Sequence, residues 1–235
     1  MEVFIGTSGW MYSWNEGASL AWYVDHSKLS AIELNASFYR FPFPSQVKGW
    51  SKTGKNLRWS IKVSRRITHL YKFNENAYIV WESFSKLFDP LKEKIDFFLF
   101  QIPPSMTPRD VRKIEQFIHH TNLREKFALE VRNLQWFANE FLEWAENMGI
   151  TWVSVDAPEL PRKIVNLNGN VYLRMHGRTV WYAYSYSKEE LEEVAVSILE
   201  RKPERVFVFF NNNHAMLKNA RDLAEIFDRI TPKSL

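Results

Sequence analysis

An arginine and a histidine two residues apart, Arg174 and His176, stand before a glycine and a second arginine in the stretch Val171-Tyr172-Leu173-Arg174-Met175-His176-Gly177-Arg178. In an extended strand successive side chains point to opposite sides, so Tyr172, Arg174 and His176 share one face and Val171, Leu173 and Met175 the other. The apolar face suits a layer of covering helices. The other carries a permanent cation and an imidazole, groups seldom buried without partners, and it runs into a glycine that frees the backbone to turn. Other strand-like runs end in the same manner, with Glu33 and Asn35, Ser60, Lys62 and Ser64, Glu130 and Arg132, and Ser154 and Asp156 on single alternation faces, while Gln101 and Asn211 finish two largely aromatic runs. Glu33, Lys62, Glu130, Asp156, Arg174 and His176 are therefore the candidate catalytic residues. Near charge balance, and with His176 expected to titrate near neutrality, they suit acid–base and electrostatic catalysis. The competing reading is that the acids only neutralise Lys62, Arg132 and Arg174 as structural ion pairs.

Positioning such groups at strand ends requires many strands, and the chain supplies eight runs: Val3–Gly6, Ala31–Leu34, Arg58–Val63, Asp96–Gln101, Lys126–Val131, Ile150–Asp156, Val171–Met175 and Arg205–Phe210. Segments of helical period separate most of them. Helix punctuation is legible at Thr107-Pro108 with Asp110, at Ser187 with Glu190, and at Asn133, which is expected to open one helix ending at Gly149. Strands alternating with helices predict an α/β fold of the TIM-type (β/α)8 barrel kind, with an open doubly wound sheet as the competitor. The proline-rich Ala157-Pro158-Glu159-Leu160-Pro161-Arg162 should be an irregular loop where the sixth helix would stand, and the first helix, within Leu20–Leu29, should be short.

With 235 residues and 46% hydrophobic content, the chain fits a single domain over residues 1–235. A net charge of +4 permits acidic partners without specifying nucleic acid. No cysteine is present, which removes disulfides, thiolate nucleophiles and thiolate metal sites. No basic leader and no membrane-spanning apolar run is visible, so a soluble, cytoplasmic protein is expected. Gly6-Thr7-Ser8-Gly9 is neither a nucleophile elbow nor a phosphate loop.

A set of motifs gives the chain a family resemblance. Gly6-Thr7-Ser8-Gly9-Trp10 with Tyr12 and Trp14, Glu33-Leu34-Asn35-Ala36-Ser37-Phe38-Tyr39-Arg40, Lys62-Val63-Ser64 with Ile67-Thr68-His69, Phe100-Gln101-Ile102-Pro103-Pro104-Ser105, Glu130-Val131-Arg132, Asp156-Ala157-Pro158, Arg174-Met175-His176-Gly177-Arg178 with Tyr184, and Phe210-Asn211-Asn212 occur in that order. Together they resemble the YecE-like proteins, the domain of unknown function 72, over almost the whole chain. The resemblance implies a TIM-type barrel and supplies no reaction. Candidate substrate-binding residues are Asn35, Gln101, Arg132 and Asn211 at the strand ends, Tyr39 and Tyr184 as flat loop surfaces, Arg178 and Asn212 after the seventh and eighth strands, and His69 within the resembling motifs.

The leading expectation is an enzyme, hydrolase- or isomerase-like, acting on a small polar substrate that is phosphorylated or sugar-like. Glu33, Glu130 or Asp156 would serve as acid or base, and Lys62, Arg174 and His176 would stabilise negative charge. The alternative is a nucleic-acid-binding or phosphodiester-cleaving protein resembling apurinic endonuclease barrels, with loop aromatics receiving an unstacked base. No cofactor is predicted. A divalent metal on Glu33, Glu130, Asp156 and His176 is disfavoured by the cations Lys62, Arg132 and Arg174 among those ligands. An anion site is expected between the seventh and eighth strands, from Arg174, Arg178 and a helix start capped by Asn213.

Overall fold

The computed structural model describes residues 1–231 and closes eight parallel strands in sequence order: β1 Glu2–Ser8, β2 Ala31–Leu34, β3 Arg58–Lys62, β4 Ile95–Gln101, β5 Phe127–Glu130, β6 Thr151–Asp156, β7 Asn170–Met175 and β8 Arg205–Phe210. Register from Glu2↔Arg205 to Thr7↔Phe210 joins β8 back to β1, which excludes the open sheet. The chain is a TIM barrel, and every strand read from the sequence is present.

Outside it lie α1 Leu20–His26, α2 Pro44–Thr53, α3 Glu75–Leu87, α4 Val111–Thr121, α5 Asn139–Asn147, α6 Lys188–Leu199 and α7 Met216–Ile230. No helix is assigned between β6 and β7, as the prolines there require, and α1 is short. The expected capping boxes form at Thr107 with Asp110 and at Ser187 with Glu190. The helix expected to run from Asn133 to Gly149 is divided. Asn133 caps a 3-10 turn, Leu134–Phe137, Ala138 is extended, and α5 begins only at Asn139. The buried Trp136 donates its indole N–H to the Met106 carbonyl at 3.0 Å, and this contact from the preceding loop belongs to the turn rather than to a continuous helix.

The strands are covered on both sides, so alternation alone does not decide which face points inward. Phe97, Leu99, Val153, Val155, Tyr172 and Phe209 fill the barrel interior, while Ile61, Phe100, Trp152 and Leu173 pack with the outer, helix-side core. Val153 and Val155 therefore take the inner places of β6, and Ser154 and Asp156 face the helix layer. At the opposite end from the polar mouth, Asp96 binds Arg58 and Arg205, a cluster suited to stability. Among the described residues, no helix is long and apolar enough to cross a membrane.

Candidate functional site

Directly above the aromatic filling, Arg174 is completely buried on the inner face of β7. Its planar guanidinium matches carboxylate geometry. Nε and one terminal nitrogen donate to Glu33 at 2.9 and 2.7 Å, and the other terminal nitrogen donates to Glu130 at 2.6 Å. Ser8 and Tyr172 also donate to Glu33, at 2.6 and 2.7 Å, and Tyr172 Oη lies 2.6 Å from Ser60 Oγ. Glu33 thus accepts four hydrogen bonds, which tie β1 and β7 to β2. Burial and the Glu33 charge push the Tyr172 phenol well above its ordinary range, so it remains the donor.

Glu130 shares its second oxygen with Arg132 as an ion pair. Burial alone would raise this carboxyl, but Arg132, Arg174 and Lys62 outweigh it and hold Glu130 below its ordinary value. His176 Nε2 lies 3.2 Å from Arg132 and 3.3 Å from Arg174. Both guanidinium groups can only donate, so Nε2 accepts and the ring proton sits on Nδ1, which has no partner among the described residues. Burial, reinforced by Arg174, Arg132 and Lys62, depresses His176 far below its ordinary value. This corrects the expectation that His176 titrates near neutrality; it is a fixed neutral acceptor.

The group that does titrate there is Lys62. Burial, followed by repulsion from Arg174, lowers it from 10.5 to about 7 against the pull of Glu130 and Glu33. Its ammonium lies 4.2 Å from the centroid of the Phe38 ring, and no ion pair joins it to a described carboxylate. His69, edge-on to Phe38 at 5.0 Å, sits on a π-helical turn, Arg66–Leu70. Half-buried, it is lowered to about 4, first by burial and then by Lys62, Arg65, Arg132 and Lys72. The charges that lower His69 are all positive. Arg132, with its guanidinium 4.6 Å from the centroid of Trp181, joins Gln101, Trp181 and Tyr182 in lining a cleft of about 470 Å³.

Glu33, Lys62, Glu130, Arg132, Arg174 and His176 are thus brought together, with His69 and Gln101 at the rim. Asp156 is not with them. It lies on the helix side with Arg178 3.4 Å away, raised by burial against the opposing pull of Arg178 and Arg162. The reading of Asp156 as a member of the same catalytic set is corrected accordingly. Arg178 is enclosed by Asp156, Glu190 and Glu193. Arg174 is sealed by its two acids, and Asn213 makes no side-chain cap, α7 beginning after Ala215. The anion site expected between β7 and β8 therefore lacks a free cation. Tyr184 donates to Glu190 at 2.6 Å, and Asn212 donates to the Tyr184 carbonyl and to Asn219, so both brace the loop after β7. Asn211 is buried at the end of β8, and Asn35 and Tyr39 line a neighbouring groove. The four proposed metal ligands do not converge, and no group of three or more metal-binding side chains occurs among the described residues. Sequence reasoning missed Ser8 and Tyr172 as partners of Glu33; the shared face of Tyr172 and Arg174 was the available signal.

The loop after β7 depends on Gly177, whose φ is +119° and whose added Cβ would stand 2.5 Å from the Val180 carbonyl oxygen and from Tyr184 Cβ. Gly177→Ala should cost roughly 1–3 kcal/mol of stability, the usual size of such strain, and release Trp181 from the mouth. Urea unfolding and tryptophan fluorescence measure the two effects; wild-type values for both would show that the loop tolerates a side chain there.

The sequence matches the family model described as "Protein of unknown function DUF72" over residues 4–234. A 152-residue stretch, 63% of this chain, is 26% identical to UPF0759 protein YecE of Escherichia coli strain K12 and spans 55% of that protein, little more than half its length. The crystal structure of a DUF72 family protein from Thermotoga maritima MSB8 is similar over 97% of this chain and 100% of that one, with 26% identity and a TM-score of 0.85. One from Enterococcus faecalis V583 covers 99% of both chains with 22% identity and a TM-score of 0.83. D-Psicose 3-epimerase from Clostridium cellulolyticum H10 shares the fold alone, with 12% identity over 97% of this chain and 98% of its own and a TM-score of 0.57. With a family match from residue 4 to residue 234 on a closed eight-stranded barrel, the chain belongs to the YecE-like DUF72 family.

Proposed function

We propose that the protein is an enzyme that binds a small anionic substrate, bearing a phosphate or carboxylate, at the carboxyl-terminal mouth of the barrel, with Lys62 as its proton-exchanging and charge-stabilising group. One observation carries this reading. Arg132, Arg174 and Arg178 are each neutralised by carboxylates, whereas Lys62 is a buried cation with an aromatic face against it and no ion pair to a described carboxylate. Once Asp156 is placed outside, two acids, Glu33 and Glu130, face Lys62, Arg132 and Arg174, so the interior carries a positive surplus when Lys62 is protonated. An entering anion supplies the missing charge. An amine poised near neutrality can both take and give a proton, which suits isomerase- or hydrolase-type chemistry on a sugar-like substrate.

Calorimetric titration with inorganic phosphate and ribose 5-phosphate between pH 6 and 9 tests this. Affinity should be greatest below about pH 7 and fall by up to about tenfold per pH unit above it, as the ammonium is lost. Affinity that is flat across this range would contradict the proposal. Polynucleotide binding far stronger than that of either small ligand, with a steep salt dependence, would favour the phosphodiester alternative.

A further inference from the structure

Beside the mouth, on the β1 and β2 side, lies a groove of about 600 Å³ lined by Trp10, Tyr12, Tyr39 and Trp50, with Ser8 and Asn35 among its polar residues. Its aromatic rings have no common structural task. Trp10 is packed edge-on against Trp50 at 5.5 Å, as part of the core, but Tyr39 is 68% exposed on a loop and rests edge-on against Phe38 at 5.0 Å. That leaves the Tyr39 ring available to a ligand. Asn35 follows β2 and precedes the 3-10 turn Ala36–Phe38, where an asparagine ordinarily caps the turn with its side chain; here it makes no such bond. Its side-chain amide oxygen is buried without a partner among the described residues. A primary amide offers an acceptor and donors side by side, the pattern that pairs with the edge of a heteroaromatic ring, and flat aromatic side chains receive such rings by stacking.

One buried ring, Phe38, separates the groove from the cation. Phe38 lies under the Lys62 ammonium and against the Tyr39 ring, and Ser37 Oγ donates to the Lys62 carbonyl at 2.6 Å. The Tyr39 ring and the Lys62 ammonium thus flank a single side chain, Phe38, a separation that one ligand carrying a flat heterocycle and an anionic group can span. We infer that this groove binds a nucleobase, and, resting on the anion reading above, that the ligand of the mouth is a small nucleotide.

The test is calorimetry on the full chain with the four ribonucleoside 5′-monophosphates, the corresponding nucleosides and ribose 5-phosphate. At least one monophosphate should bind about tenfold or more tightly than ribose 5-phosphate, the gain a base–aromatic stack provides. Tyr39→Ala and Asn35→Ala should each remove most of that gain and leave ribose 5-phosphate binding unchanged; Tyr39 is exposed, so its replacement does not threaten the fold. Lys62→Met should weaken both monophosphate and ribose 5-phosphate. Monophosphates binding no better than ribose 5-phosphate, or insensitivity to both Tyr39→Ala and Asn35→Ala, would overturn the inference. Tighter binding of a single-stranded decanucleotide than of any monophosphate would overturn the assignment to a small molecule. If nucleosides bind and respond to Tyr39→Ala while Lys62→Met changes nothing, the groove stands and the anion reading falls.

Discussion

Arg174→Ala is expected to cost at least about 3 kcal/mol of unfolding free energy, because it leaves two buried carboxylates, Glu33 and Glu130, without their shared counter-ion. Few single changes in this molecule should do more damage. Arg174→Lys should fall between the variant and the wild type, since an ammonium keeps the charge but cannot bridge both acids with a planar fork. The pH dependence has a definite sign. Glu130 titrates below its ordinary 4.5 in the folded chain, so its stabilising contribution is present above that value and is lost as the pH falls through the folded one. Arg174→Ala removes one of the cations responsible and should weaken that acid-range dependence. Urea unfolding at pH 7 and pH 4 gives both quantities; an unchanged midpoint for Arg174→Ala would mean that the network does not hold the barrel. Should the alanine variant fail to fold, Arg174→Lys still reports the effect.

Lys62→Met should do the opposite, strengthening the fold while removing the capacity to bind anions. Burial is the largest influence on Lys62 and works against its charged form. A methionine of similar length keeps the packing without that charge, and a gain of roughly 1–3 kcal/mol is expected after allowance for water reaching the mouth. Because the folded value, about 7, lies below the ordinary 10.5, the wild-type penalty is complete below pH 7 and shrinks as the pH rises toward 10.5. The advantage of Lys62→Met should therefore be largest at pH 6 to 7 and fade by pH 10. Thermal unfolding across that range decides the matter. A destabilised variant at pH 6.5 would mean that Lys62 has a structural partner and is not held in reserve for a ligand.

The barrel was legible because its signals are local. Eight extended runs, the capping residues Thr107 and Ser187, and the prolines at 158 and 161 each act within a few residues of themselves. Asp156 was misplaced for a physical reason. In Thr151-Trp152-Val153-Ser154-Val155-Asp156 the polar alternates suggest an inner site, but a parallel strand buried on both faces can turn either set inward, and the two valines fill the interior. The partition of the Asn133 segment into a turn and a helix depends on Trp136 reaching Met106, a contact made across 30 residues. His176 read as a switch because an isolated imidazole titrates near neutrality. Burial, reinforced by three surrounding cations, makes it a neutral acceptor, and burial with repulsion from Arg174 brings Lys62 down to the position His176 was expected to hold. Such exchanges of role depend on which charges meet in space.

The proposed anion site of the barrel mouth centres on Lys62, beside the Glu130-paired Arg132. A crystal structure of the wild-type protein at high phosphate concentration near pH 6.5 tests it most directly. The predicted result is a tetrahedral anion with an oxygen at about 3 Å from Lys62 Nζ and in reach of Arg132, with the Arg174 network unchanged. A mouth without an anion, with Lys62 turned onto Glu130 and the surrounding loops ordered, would contradict the account.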